Sequence, residues 1–127
     1  MYLAVSNTIK QLSRSKAHLG AQPGYLLALH TWGRNLSEHP HIHCLITHGG
    51  LDSSGKWVSP KRAVMFPVKV MRRLFRGKFL AAVKQALAQS TLVLPPEQQT
   101  TQVTNLSNKL GRIDWQVYAC APYAHGL

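Results

Sequence analysis

Acidic side chains are what this chain has least of: four Asp and Glu stand against fifteen Lys and Arg, for a formal charge of +11. Glu38, Asp52, Glu97 and Asp114 are the whole supply, so a hydrolase built on paired carboxylates is poorly provided for. Between Asp52 and Glu97 there is no acid at all, while that interval holds nine of the fifteen bases. Clustered positive charge is the footprint of a polyanion binder, with nucleic acid ahead of membrane headgroups. Cysteine is scarce too. Cys44 and Cys120 form no Cys-x-x-Cys pair, which excludes a finger-type zinc site and leaves two buried, reduced thiols as the expectation. No stretch approaches the ~18 apolar residues of a membrane span. Met1 to Asn7 lacks the basic-then-apolar layout of a signal peptide, so the expected location is cytoplasmic. At 127 residues and 45% apolar content, one domain with a single core is expected.

Histidine, by contrast, is plentiful, with seven in the chain. The segment His39-Pro40-His41-Ile42-His43-Cys44-Leu45-Ile46 opens an apolar run with a His-apolar-His pair. On a strand, residues two apart share a face, so His41 and His43 present two imidazoles side by side while Ile42, Cys44 and Ile46 turn to a core. Neutral imidazole is the commonest protein metal ligand. Such pairs also arise by chance in histidine-rich chains and recur in unrelated metal sites, so the surroundings have to decide.

Those surroundings read as follows. Leu3, Val5, Ile9 and Leu12 suit an amphipathic helix from Met1 to about Lys16, broken by Gly20-Ala21-Gln22-Pro23-Gly24. Tyr25 to Trp32 is a nearly continuous apolar run between Gly24 and Gly33, expected as a strand buried on both faces. Gly33 to Pro40 is a polar connection, and His41 to Thr47 is the next strand, paired antiparallel to the first. With Trp32 opposite His41, His30 falls opposite His43 and three imidazoles converge. Glu38 and His39 compete for the third place, and His30 can equally be a buried histidine with one hydrogen-bond partner. Gly49-Gly50 ends the strand, and Leu51 to Val58 reads as a turn and a short strand.

After the basic connection through Lys61 and Arg62, Pro67 opens a helix to about Gln89. Lys69, Arg72, Arg73 and Arg76 stand at i, i+3, i+4 and i+7, on one face, with Val70, Met71, Leu74 and Phe75 on the core side. A phosphate backbone is the natural partner for four stacked cations, and a solvated helix face is the plain alternative. Pro95-Pro96 precedes a weaker helix from Glu97 to Leu110, and Trp115 to Cys120 alternates like a strand. No internal repeat is visible. The fold class expected is α+β, an antiparallel sheet carrying the histidine hairpin and packed with helices.

The string Leu29-His30-Thr31-Trp32-Gly33-Arg34-Asn35-Leu36, followed by His39 to Ile46 and Gly49-Gly50-Leu51, resembles the core of the two-tyrosine transposases of rolling-circle insertion sequences, within the HUH endonuclease superfamily. His18-Leu19-Gly20-Ala21, Trp57-Val58, Leu74-Phe75-Arg76, Trp115-Gln116-Val117 and Tyr123-Ala124-His125-Gly126 are similar to the flanking pieces, so the resemblance runs through nearly the whole chain. It implies a ferredoxin-like palm on which His41 and His43 bind Mg²⁺ or Mn²⁺, with His30 as the choice for a third ligand. It implies also that the cation grips a phosphate of single-stranded DNA at insertion-sequence ends. A helix-borne tyrosine then attacks to leave a 5′-phosphotyrosine. In this picture Lys61, Arg62, Lys69, Arg72, Arg73 and Arg76 contact nucleic acid, and the protein is associated with a bacterial nucleoid.

The family carries its nucleophiles as Tyr-x-x-x-Tyr, and no two of Tyr2, Tyr25, Tyr118 and Tyr123 are four apart. Its Cys-rich zinc-binding region has no counterpart either. Residues 1–127 are therefore expected to be one partial catalytic domain, incomplete at the C-terminus. It holds no catalytic nucleophile of its own and is inactive in strand transfer alone. The alternative is a basic nucleic-acid-binding module whose histidines are structural.

Overall fold

A computed structural model describes residues 1–35 and 37–123; Leu36 and the Ala124-His125-Gly126 piece of the resembling string lie outside the described residues. Among the described residues the fold is α+β, with two small antiparallel sheets and three helices. The chain divides into two compact units, Val68–Tyr118 forming one and the remainder the other.

In the first unit, helix α1 (Tyr2–Arg14) buries Ala4, Thr8, Ile9, Leu12 and Ser13, a single face at helical spacing. Thr8 satisfies its buried hydroxyl on the carbonyl of Ala4 at 2.7 Å. With Leu19, Ala21, Met65 and Phe66, the Ala4, Ile9 and Leu12 side chains supply the unit's buried apolar core. Strands β1 (Tyr25–Trp32) and β2 (Glu38–Ile46) form an antiparallel hairpin. Its open end is closed by Thr47 N–H on the carbonyl of Gly24 (2.9 Å), and its loop by Gly33 N–H on that of Ser37 (2.9 Å). Helix α1 is tied to the hairpin by two phenols. The Tyr2 hydroxyl accepts from the Leu29 amide at 3.0 Å, and that of Tyr25 bonds Ser6 Oγ at 2.6 Å.

Three expectations for this hairpin are corrected. Its second strand begins at Glu38, not His41. The pairing is His30↔His41 and Ala28↔His43, two residues away from the register expected. And β1 is not buried on both faces: Leu26 is 71% and Trp32 60% exposed, as the apolar run alone cannot reveal. The loop is shorter than expected, so Trp32 meets Glu38, three residues before His41, and the register then shifts back by one where Pro40 has no N–H to give to the ladder. Between the pairs His30↔His41 and Trp32↔Glu38, β2 carries two residues, His39 and Pro40, where β1 carries only Thr31. That extra residue is a β-bulge.

Beyond β2 the chain turns sharply into β3 (Gly50–Leu51), which pairs with β4 (Trp57–Val58). The double glycine is required here. A Cβ on Gly49, at φ 138°, would lie 2.5 Å from the Trp57 ring. One on Gly50 would collide with the Gln22 backbone, to which Leu51 is bridged.

In the second unit, α2 (Val68–Ala88) and α3 (Thr100–Leu110) contact each other. Pro67 immediately precedes α2, as its fixed φ favours. α3 starts later than the sequence suggests, after a capping box in which the Gln102 side chain takes the Gln99 amide at 2.8 Å. Residues 115–120 form no strand. Instead Trp115 sits 5.5 Å from both Phe75 and Phe79, ring to ring, and donates its indole N–H to Leu110 O at 2.9 Å. Aromatic docking on an i, i+4 pair of α2 anchors this segment without a ladder. Val70, placed on the core side by its spacing, is exposed.

Candidate metal centre

A register error of two leaves every side chain on its original face, so the hairpin still brings His30, His41 and His43 together. One ring nitrogen from each lies within 4.8 Å of the others. Ring centroids are 4.3 Å apart for His30 and His43, 4.9 Å for His41 and His43, and 5.4 Å for His30 and His41. His41 is half-buried and the other two are exposed, which removes the reading of His30 as a buried histidine. Neither Glu38 nor His39 belongs to this cluster.

The bulge contributes directly. His41 Nδ1 donates to the carbonyl oxygen of His39 at 2.6 Å. A carbonyl only accepts, so the proton of the neutral ring sits on Nδ1 and Nε2 carries the lone pair, in hydrogen-bond contact with His43. That atom lies 3.2 Å from His43 Nε2. Two nitrogens at this separation suit adjacent positions around one cation, given metal–nitrogen distances of about 2.1 Å. The donor set of three imidazoles, open on an exposed face, thus fits a divalent cation with places left for other oxygen donors.

The opposite face of the hairpin carries Tyr25, Leu27, Leu29, Ile42, Cys44 and Ile46. Cys44 and Cys120 are both exposed, correcting the expectation of two buried thiols. Even so, partial burial pushes the Cys44 thiol pKa up from its ordinary value.

No solved structure matches this chain. Residues 24–127 match the family described as "Putative transposase" (Y2_Tnp). The chain belongs to that family. It is similar to "Putative transposase y4qJ" of Sinorhizobium fredii, 33% identical over 98% of this chain and 32% of the relative. It is similar also to "Transposase for insertion sequence element IS801" of Pseudomonas savastanoi pv. phaseolicola, 32% identical over 90% of this chain and 24% of that protein. The chain thus spans about a quarter to a third of the length of these transposases.

The basic residues expected to meet nucleic acid are not equivalent in this transposase-family chain. Lys61 and Arg62 are exposed and, with Ala17, His18, Met65 and Pro67, line a small cavity. His48 Nε2 donates to the carbonyls of Arg62 (3.2 Å) and Ala63 (3.0 Å), fixing that segment. On α2, Arg76 donates to the Ile113 carbonyl and Arg72 stands 4.0 Å from the Asp114 carboxylate. Lys69 and Arg73 are exposed. The His39 carbonyl is the participant that sequence reasoning missed, although Pro40 inside a strand is a signal for a bulge. No helix among the described residues is long and apolar enough to cross a membrane.

Proposed function

We propose that this chain is the phosphate-gripping part of a rolling-circle transposase. His41, His43 and His30 hold a divalent cation, Mg²⁺ or Mn²⁺, and the basic residues hold single-stranded DNA at insertion-sequence ends. The observation that carries the reading is the convergence of three imidazoles on one exposed face, with His41 Nε2 and His43 Nε2 3.2 Å apart. A cation bound there supplies Lewis-acid polarisation of a phosphate oxygen and a template for the strand. The chain's own contribution is orientation. The His39 carbonyl keeps His41 in the Nδ1–H tautomer, and the β1–β2 ladder sets His30 beside it.

Attack on the phosphate lies with a residue other than the tyrosines near the hairpin. Tyr25 belongs to the face opposite the imidazoles, and the hydroxyls of Tyr2 and Tyr25 are engaged by the Leu29 amide and Ser6. In this reading residues 1–127 form a partial catalytic domain of a nucleoid-associated cytoplasmic enzyme, and by themselves they do not transfer strands.

Thermal denaturation with and without Mn²⁺ tests the reading. At a hundredfold excess over Kd the cation should raise Tm on the order of 5–10 °C. His41→Ala combined with His43→Ala should abolish the gain. Equal melting curves for the wild type with and without metal would make the histidines structural and the chain a basic nucleic-acid-binding module.

A further inference from the structure

Tryptophan is costly to leave in water, and two of the three in this chain are used in packing. The Trp115 indole rests on Phe75 and Phe79, and the Trp57 ring, though 56% exposed, lies over Gly49, 2.5 Å from where a Cβ would stand. Trp32 differs. It is 60% exposed, and among the described residues its indole has neither a ring partner nor a hydrogen-bond partner. It stands two residues beyond His30 on β1, so it leaves the same face as the imidazoles, about 6.6–6.8 Å along the strand. At the far end of that face the cross-strand pair Leu26 and Leu45 is 71% and 65% exposed. The face therefore reads, from the loop end, as flat aromatic, polar cluster, apolar pair.

We propose that Trp32 is a stacking platform for the nucleobase next to the phosphate held at the imidazole cluster; this rests on the reading of that cluster as a phosphate-gripping centre. Along a DNA strand, flat apolar bases alternate with charged phosphates, and the face offers partners in the same alternation. Charge sets the direction. Glu38 is the cross-strand partner of Trp32, and its carboxylate repels a phosphate, so the phosphate belongs on the imidazoles and the base over the indole. The occupant is single-stranded, because only an unpaired, unstacked base offers its face to a side chain. The β2 bulge is what sets this pair. It places Glu38, rather than His39, opposite Trp32.

The test uses the full chain, Mn²⁺ and a short single-stranded oligonucleotide, read by intrinsic fluorescence and by titration. The wild type should show quenching on binding, lost in Trp32→Leu. That variant should bind the oligonucleotide roughly tenfold more weakly, with Trp32→Phe retaining most of the affinity. Replacing one nucleotide at a time by an abasic residue should reproduce that loss at a single position in the wild type and cost nothing further there in Trp32→Leu. The duplex should give no Trp32 quenching. Mn²⁺ affinity should be the same in Trp32→Leu and wild type, which also shows that the variant is folded. If Trp32→Leu binds DNA as the wild type does while His41→Ala with His43→Ala weakens binding, the platform is refuted and the cluster reading stands. If the wild type binds neither Mn²⁺ nor the oligonucleotide, the cluster reading fails and the platform with it.

Discussion

At the scale of the residue, the chemistry of the hairpin turns on which nitrogen of His41 carries its proton. The 2.6 Å bond from Nδ1 to the His39 carbonyl decides it, and such partners typically govern metal affinity tenfold or more. In a ¹⁵N-resolved titration with a diamagnetic divalent cation, the His41 Nε2 resonance should shift while Nδ1 stays protonated. A shift at Nδ1 instead would mean that the carbonyl contact breaks on binding. Glu38→Ala should keep the Mn²⁺-dependent gain in Tm, since its carboxylate lies outside the cluster, whereas His30→Ala should reduce it. The neighbour on the other face behaves differently. Burial raises the pKa of the Cys44 thiol, so the thiolate is a smaller fraction at neutral pH than in the unfolded chain. Alkylation of Cys44 should accordingly be slower in the native protein than in denaturant, even though the residue is exposed. Residue spacing alone made the pairing of His41 with His43 legible, because the strand repeat of two does not depend on register. The third imidazole survived a wrong register for the same reason: the error was an even number of residues.

At the scale of the element, what sequence leaves hidden is how an element ends and what holds its faces. Pro40 closes the polar connection by its sequence, whereas it lies within β2 and deforms the ladder, with His39 and Pro40 facing Thr31 alone. Residues 115–120 alternate as a strand does, but alternation supplies no partner, and Trp115 is taken up by Phe75 and Phe79 instead. The basic stripe of α2 is legible as a stripe, yet it is divided in use. Arg76 is committed to the Ile113 carbonyl and Arg72 faces Asp114, whose side chain is 83% exposed. A pair of that kind contributes about 0–1 kcal/mol. Charge reversal at Lys69 and Arg73, the exposed members, should therefore reduce the slope of log K against log salt for single-stranded DNA by roughly 1.4. An unchanged slope would make this face a solvated one. The β3–β4 turn is held by Asp52 Oδ1, which accepts from Ser54 N–H (2.8 Å), Ser54 Oγ–H (2.7 Å) and Lys56 N–H (3.0 Å). The Ser54 hydroxyl, then the Lys56 amide, lower its pKa. A carboxyl whose folded pKa is depressed stabilises fully above its unfolded value, near 3.9, and ceases to as pH falls through the folded value. Amide exchange at Ser54 and Lys56, corrected for intrinsic rates, should show protection that declines in that acid range, and Asp52→Ala should remove the pH dependence.

At the scale of the whole molecule, a charge of +11 with no acid between Asp52 and Glu97 is a property of composition, independent of how the elements pack. It is why the proposed polyanion binding rests on composition before any element is placed, while the chain spans only about a quarter to a third of the complete transposases it matches. The proposed function makes holding a strand and cutting it separable. In the mechanism proposed above, cutting needs a hydroxyl free to attack, and the hydroxyls of Tyr2 and Tyr25 are already bonded. Tyr118 and Tyr123 are 90% and 85% exposed, but neither has a second tyrosine four residues away. Incubated with Mn²⁺ and a labelled single-stranded oligonucleotide, the chain should bind in a salt-sensitive manner and yield no protein–DNA adduct on a denaturing gel. Binding should weaken in His41→Ala with His43→Ala. A covalent adduct from the wild type would overturn the separation, and its loss in Tyr118→Phe or in Tyr123→Phe would identify the attacking oxygen.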